Sequence, residues 1–267
     1  MNQQDPTQDH SQEDAPGDQS PQAWTRAQDW AGYTADEHAT WLYLYDRQVR
    51  LLQDRACPEF LEGLDALDLR GAGIPNFKEV SGRLSRLTGW SIAPVEGLVP
   101  DEVFFGFLAE RRFPAGTFIR PADSLDYIEA PDVFHDVFGH VPLLTDPAFA
   151  DFLQAYGKAG LRAAKLGRIE ELARLYWFTV EFGLVRTEAG VRIYGAGIAS
   201  SAQETVHSLE GTAPLRVGFK PERARATAYR SDVVQQLYMV IDGFEALLHL
   251  ADDGFGLERP PALVRAA

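Results

Sequence analysis

The sequence predicts an α+β fold, mostly α-helical, arranged as a single domain with minor β structure. Helix-start signals and apolar residues at three- and four-residue spacing recur along most of the chain, whereas strand-like runs are few and short. Hydrophobic residues make up 45% of the 267 residues, enough to fill one large core. No internal repeat and no second linker divides the chain.

Residues 1–22 are rich in Gln, Asp, Pro and Ser and lack large apolar groups, so they read as a disordered acidic N-terminal tail. Structure should begin near Trp24, and the domain should span 23–252. A helix is predicted from Thr34 to Leu52, with Thr34 as N-cap and Glu37 completing a capping-box spacing. Further helices are expected over 58–69, 76–88 and 101–112, the last after a break from Gly89 to Pro100. Asn76 and Ser85 read as ordinary polar positions. Thr117 to Arg120 reads as a short strand. Asp146-Pro147 is a helix start, and Phe149, Phe152, Leu153 and Tyr156 give that helix an apolar face. Another helix is expected from Ile169 to Val185, then strands at Val191–Ile198 and Leu215–Phe219. A last long helix is expected over 231–250, on the spacing of Val233, Val234, Leu237, Tyr238 and Ile241, with a tail over 253–267.

Composition excludes several classes of function. Cys57 is the only cysteine, so an intrachain disulfide framework and Cys-rich zinc or iron–sulfur sites are ruled out. The net charge of -14 argues against sequence-independent nucleic-acid binding and against docking on an anionic membrane. Residues 1–20 contain no Lys, no Arg and no apolar stretch, so they do not read as a secretory signal. No run approaches the roughly eighteen apolar residues of a membrane span, and a cytoplasmic location is expected.

The segment PDVFHDVFGHVPLL (131–144) places His135, Asp136 and His140 among Val, Phe and Leu. A single histidine there would ordinarily be a core residue with a satisfied hydrogen bond. On a continuous α-helix a spacing of five leaves two side chains about 140° apart, too far to share a ligand. Gly139 and Pro142 mark a helix end, which would let His140 swing back toward His135. The pair does not fit the HExxH zinc-protease arrangement, which needs i and i+4. Glu181 is the only charged group in LYWFTVEFGLV (175–185) and shares a helical face with Trp177. An ionised carboxylate in such surroundings is costly unless it is paired or binds a metal. Two His and one carboxylate suit the facial triad of non-haem Fe(II) enzymes, and His₂Glu also suits zinc. Ligand types leave the two open.

Three segments, FIRPADSLDYIEAPDVFHDVFGHVPLL, ARLYWFTVEFGLV and RIYGAGIASS, stand in order between about Tyr33 and Leu250. Together they resemble the pterin-dependent aromatic amino acid hydroxylases, above all the short bacterial members that act on phenylalanine. The resemblance implies Fe(II) held by His135, His140 and Glu181, with Tyr176 close to it. It implies that Arg120 holds the substrate carboxylate, that Asp132 is its salt-bridge partner, and that Pro131, Trp177 and Ser200 form pocket walls. It places a tetrahydropterin, tetrahydrobiopterin or a relative, against Val95, Gly97, Leu98 and Phe104. Asp136 would hydrogen-bond the pterin or a water on the iron. Phe182 and the Phe134/Phe138 region would line a dry apolar pocket. Ile128 departs from the threonine of animal phenylalanine hydroxylases. The family's regulatory domain and tetramerisation helix have no counterpart, so a monomer is expected. The implied reaction converts L-phenylalanine, O₂ and tetrahydropterin to L-tyrosine, water and hydroxypterin. The alternatives are the same chemistry on Tyr or Trp, a zinc hydrolase with the same ligands, or a binding protein with a buried polar network.

Overall fold

The computed structural model describes residues 20–126 and 130–264. The expected tail therefore lies, as far as residue 19, outside the described residues, as does Ile128.

A short α1 (Pro21–Trp24) precedes α2 (Ala35–Leu52). The capping box closes as expected: Glu37 N–H donates to Thr34 Oγ1 (3.2 Å), and Thr34 N–H donates to Glu37 Oε2 (2.7 Å). α3 (Pro58–Leu67) and α4 (Phe77–Thr88) follow. Asn76, read as an ordinary polar residue, caps α4 by accepting from Lys78 N–H at 3.0 Å. Next come β1 (Ser91–Val95), α5 (Asp101–Ala109) and β2 (Arg112–Gly116), with β1 and β2 paired in parallel. The helix expected to reach residue 112 stops at Ala109, because Arg111 turns into the left-handed region (φ 56°). The strand falls at Arg112–Gly116 instead of Thr117–Arg120, and Pro114 is tolerated because this two-stranded sheet is all edge.

Asp146 caps α6 (Pro147–Lys165) by accepting from Phe149 N–H at 2.8 Å. α6 crosses α5 closely: a Cβ on Gly157 would lie 2.4 Å from Ala109 N, and one on Gly160 would lie 2.1 Å from the Phe105 ring. α7 (Ile169–Tyr176) runs into a π-helical turn, Trp177–Glu181, and then β3 (Gly183–Thr187). The helix expected through Val185 ends there. At Gly183 a side chain would strike Thr179 O at 2.3 Å, so glycine permits the sharp exit into the strand. β4 (Gly190–Ile193) pairs antiparallel with β3. The strand expected to run to Ile198 gives way to α8 (Ala196–Ala199).

After α9 (Ala202–Glu210), β5 (Leu215–Gly218) and α10 (Pro221–Ala226) comes the largest departure. In place of a helix over 231–250 there is a loop, then β6 (Leu237–Ile241), then α11 (Glu245–Asp252). β6 lies between β3 and β5, parallel to both, in a sheet of order β4-β3-β6-β5. A central strand covered on both faces is apolar throughout, so Leu237, Tyr238 and Ile241 carried no alternation to mark it as β. Phe255 and Leu257, in the segment expected as a tail, are buried.

One main core joins most of these elements, and a smaller apolar cluster of Ala93, Val95, Val103 and Phe107 lies between β1 and α5. Phe134 and Phe138, expected in the pocket wall, belong to that core. They are 0% exposed, stack on each other at 4.7 Å and meet Trp41, Tyr45 and Phe60 edge-on. Each buried phenylalanine contributes about 1.5–3 kcal/mol, so this cluster anchors the segment that carries both histidines. Among the described residues no helix is long and apolar enough to cross a membrane.

Candidate active site

The segment Phe134–His140 is π-helical. An i→i+5 turn brings residues five apart onto one face, where an α-helix would separate them. The histidines therefore meet by a widened backbone, not by a helix that stops and lets His140 swing back. Their rings stand 84° apart with centroids 5.0 Å from one another, and the Nε2 atoms are separated by 3.2 Å. Glu181 ends the second π turn, which is closed by Phe182 N–H donating to Trp177 O at 2.8 Å. Its Oε1 lies 3.2 Å from His140 Nε2 and its Oε2 lies 3.7 Å from His135 Nε2. The three donors all fall within 4.8 Å of one another.

Hydrogen bonds fix what these donors present. Ser200 Oγ spends its proton on Ala196 O (2.8 Å), so it accepts from His135 Nδ1–H (2.9 Å). The His135 Nε2 lone pair then faces the centre. His140 stacks on Phe113 at 4.8 Å, and its Nδ1 lies 3.5 Å from the Tyr176 hydroxyl. Burial, and after it the neighbouring His140, lowers the pKa of His135 to about 4 against the pull of Glu181. Burial works against an ionised Glu181, but the two imidazoles and the Gly197 N–H hold its carboxyl below the usual range. Two imidazole nitrogens and a carboxylate oxygen converge on one point from three buried or half-buried side chains. The donor set thus fits a divalent metal.

Arg120 and Asp132 form a buried pair, 5% and 0% exposed. Arg120 Nε donates to Asp132 Oδ2 and Nη2 to Oδ1, both at 2.8 Å, and the Arg120 backbone N–H adds a third bond at 3.0 Å. Asp132 Oδ1 also accepts the His135 N–H at 3.0 Å, which ties the guanidinium to the histidine turn. Burial alone would raise the Asp132 pKa, and Arg120 outweighs it and keeps the carboxyl below its usual value.

A cavity of about 380 Å³ brings together Arg120, Pro131, His135, Trp177, Glu181 and Ser200, and Phe182 lines it as expected. Asp132 stands behind Arg120 and does not line it. A second cavity, about 210 Å³, is lined by Val95, Gly97, Leu98, Phe104, Asp136 and Tyr176. The two share Pro131, His135 and Glu181, so the donor set lies at their junction. Gly97 adopts φ 76°, which fits a tight loop. Phe104 meets Tyr176 edge-on at 5.7 Å. Asp136 accepts from Gly116 N–H at 2.8 Å, and burial pushes its carboxyl up to about 7.

Sequence reasoning missed three contributors. Phe113, which backs His140, sits beside Pro114 in an unrecognised strand. Glu204 lines the larger cavity from α9, where SAQETVH looks like any polar helix face. Gln235 accepts from the Trp177 indole at 3.0 Å, from a loop where the sequence predicts helix.

Known proteins resemble this chain in sequence and in fold. A phenylalanine-4-hydroxylase of Caulobacter vibrioides is 57% identical over 233 residues, covering 87% of this chain and 79% of the relative. A crystal structure of Chromobacterium violaceum phenylalanine hydroxylase, with bound iron(III) and oxidised cofactor 7,8-dihydrobiopterin, superposes with a TM-score of 0.87 at 50% identity, over 91% of this chain and 89% of that one. A structure of the same enzyme with iron and phenylalanine gives 0.83 at 48% identity, over 90% of each chain. The family model for the biopterin-dependent aromatic amino acid hydroxylases matches residues 27–253, and this chain belongs to that family.

Proposed function

We propose that this protein hydroxylates L-phenylalanine to L-tyrosine with O₂ and a tetrahydropterin, at a mononuclear non-haem Fe(II) held by His135, His140 and Glu181. One observation carries the reading: two imidazoles and a carboxylate converge where two cavities meet, and only one of those cavities holds an arginine clamp. When bound, iron supplies the activation of O₂ together with the reduced pterin, chemistry that side chains cannot provide.

The chain's own residues position the reactants. Arg120, oriented by Asp132 and by the Leu125 carbonyl that accepts from Nη1 at 3.2 Å, takes the amino-acid carboxylate, since a fork held this way still has an N–H left on each Nη. Trp177, Phe182 and Pro131 wall the aromatic ring, exclude water and aim it at the centre. Ser200 holds His135 in its metal-binding tautomer. On the other side the tight loop at Val95, Gly97 and Leu98 and the Phe104 ring receive the pterin, with Asp136 as a polar contact at its edge. Tyr176 packs against His140 and Phe104. We further propose a monomer working in the cytoplasm, with a catalytic domain that starts near residue 23 and runs past 252 to include the buried Phe255 and Leu257. Support comes from the acidic charge and from a single, buried Cys57 that needs no oxidising compartment.

The test is a parallel assay of Phe, Tyr and Trp with Fe(II) or Zn(II), with and without a reduced pterin. The reading expects about one iron per chain and tyrosine formation that requires both O₂ and pterin. Activity supported by zinc alone, or phenylalanine consumed without pterin, refutes it.

A further inference from the structure

We propose that Gln235 is a positioning residue for the amino-acid pocket: it locks the Trp177 indole and the 228–236 loop into one wall, and so sets which aromatic ring fits. The inference rests on the reading of the larger cavity as the amino-acid site.

Gln235 is 6% exposed, and each of its polar groups is engaged. Its Oε1 accepts from Trp177 Nε1–H at 3.0 Å. Its Nε2 donates to Arg230 O at 2.8 Å and to Val233 O at 2.9 Å. Its backbone N–H donates to Glu204 Oε1 at 2.8 Å, and its carbonyl lies 3.1 Å from His207 Nε2. Glu204 in turn accepts from the Tyr238 hydroxyl on β6. The amide has one workable orientation, because a flipped side chain would aim N–H at N–H and oxygen at two carbonyls. The loop is thus wound around a single side chain, which is anchored to the sheet through Glu204.

The same side chain reaches the pocket wall. The Trp177 indole is flanked by Phe182 at 4.5 Å and by Tyr229, nearly parallel, at 4.1 Å. Tyr229 and the cavity-lining Val233 and Val234 belong to the loop that Gln235 holds. Behind that loop lies a further cavity of about 380 Å³, also lined by Val233 and Val234. With space on both sides, the loop depends on Gln235 more than on packing. Within the loop, the ion pair of Arg230 with Asp232 is exposed and holds little. Glutamine therefore sets the depth of the ring pocket without touching the substrate.

Gln235→Leu keeps the volume and removes the amide. The expected result is a rise of about ten-fold in KM for phenylalanine, the low end of the range for reshaping a pocket by a single group. The KM for pterin and the iron content should hold, and the selectivity for tryptophan over phenylalanine should rise about ten-fold. Combined with Trp177→Phe, which has no indole N–H, the losses should be less than additive. If Gln235→Leu does not fold, Gln235→Asn, one methylene shorter, carries the same test. Amide hydrogen exchange reads the lock without substrate: 228–236 should exchange at least about ten-fold faster in the variant. Unchanged exchange, additive losses, or an equal fall in pterin and iron affinity overturns the inference. A wild-type enzyme inert on phenylalanine whose Gln235→Leu variant still shows faster exchange refutes the proposed function and leaves the lock standing.

Discussion

Replacing Arg120 by Lys tests whether one guanidinium both closes the fold and receives the substrate. The native pair makes two side-chain bonds at 2.8 Å between Arg120 and Asp132, in a site where neither partner is more than 5% exposed. Hydrogen bonds to a charged group are worth about 1.5–3 kcal/mol each. An ammonium can keep one of the two, so stability should fall by about 1.5–3 kcal/mol rather than by the larger cost of an unpaired buried charge. At about 2–4 °C per kcal/mol for a chain of this class, the melting temperature should drop by roughly 3–12 °C. The functional loss is separate. A lysine held by Asp132 has no planar fork left for a second carboxylate, so KM for phenylalanine should rise by about 10–100-fold. The KM for pterin should stay level, because Arg120 does not line the second cavity. Asp132 still accepts the His135 N–H, so iron content should hold too. Calorimetric melting with steady-state kinetics in both substrates separates these effects. An unchanged KM for phenylalanine, or matched rises for phenylalanine and pterin, would show that Arg120 is only a structural partner of Asp132.

Ser200→Ala removes the acceptor that fixes the His135 tautomer, so iron affinity measured by equilibrium dialysis should fall about 10–100-fold; unchanged affinity would mean the ring is held by packing alone. At Gly97 nothing lies within 4 Å of an added Cβ, so Gly97→Ala adds only backbone strain at φ 76°, about 1 kcal/mol. Expressed at the loop, that strain should raise KM for pterin while KM for phenylalanine stays fixed. Glu171 is paired with Arg168 and Arg225; burial alone would raise its pKa, but these partners hold its carboxyl below the ordinary 4.5. A carboxylate depressed in the folded state stabilises fully above its unfolded value and loses that contribution as pH falls through the folded one. Wild-type stability should therefore decline as pH drops below about 4.5, and Glu171→Gln should be less stable at pH 7 with a flatter acid limb in urea titrations.

What could be read from the chain, and what could not, follows from which signals are local. Caps are local: Thr34 with Glu37, and Asp146 before Pro147, announce helices that form as written. Titratable groups stranded in apolar runs are local too, which is why His135, His140 and Glu181 stand out, whereas Arg120 and Asp132 come only with the family resemblance. The turns that bring the ligands together are not. A π turn uses the same residue types as an α turn, so in the sequence the five-residue spacing reads as an obstacle that a helix end would remove. The wider turn itself is the solution. It places two histidines on one face and is held open by packing that sequence does not display, Phe134 and Phe138 against α2 and α3 on one side and Ala196 pressed to 3.0 Å from a would-be Cβ on Gly139 on the other. The strand β6 was hidden for a related reason. Burial on both faces removes the polar residues whose alternation would have shown its period, and Val233 and Val234 happened to complete a helical spacing. Losing β6 also loses the loop before it, and with it Gln235 and Tyr229, which bond and stack on the cavity-lining Trp177. The proposed metal ligands are thus legible because their chemistry conflicts with their surroundings. The residues that back Trp177 are not, because a satisfied glutamine and a stacked tyrosine conflict with nothing until the fold has brought them to that indole.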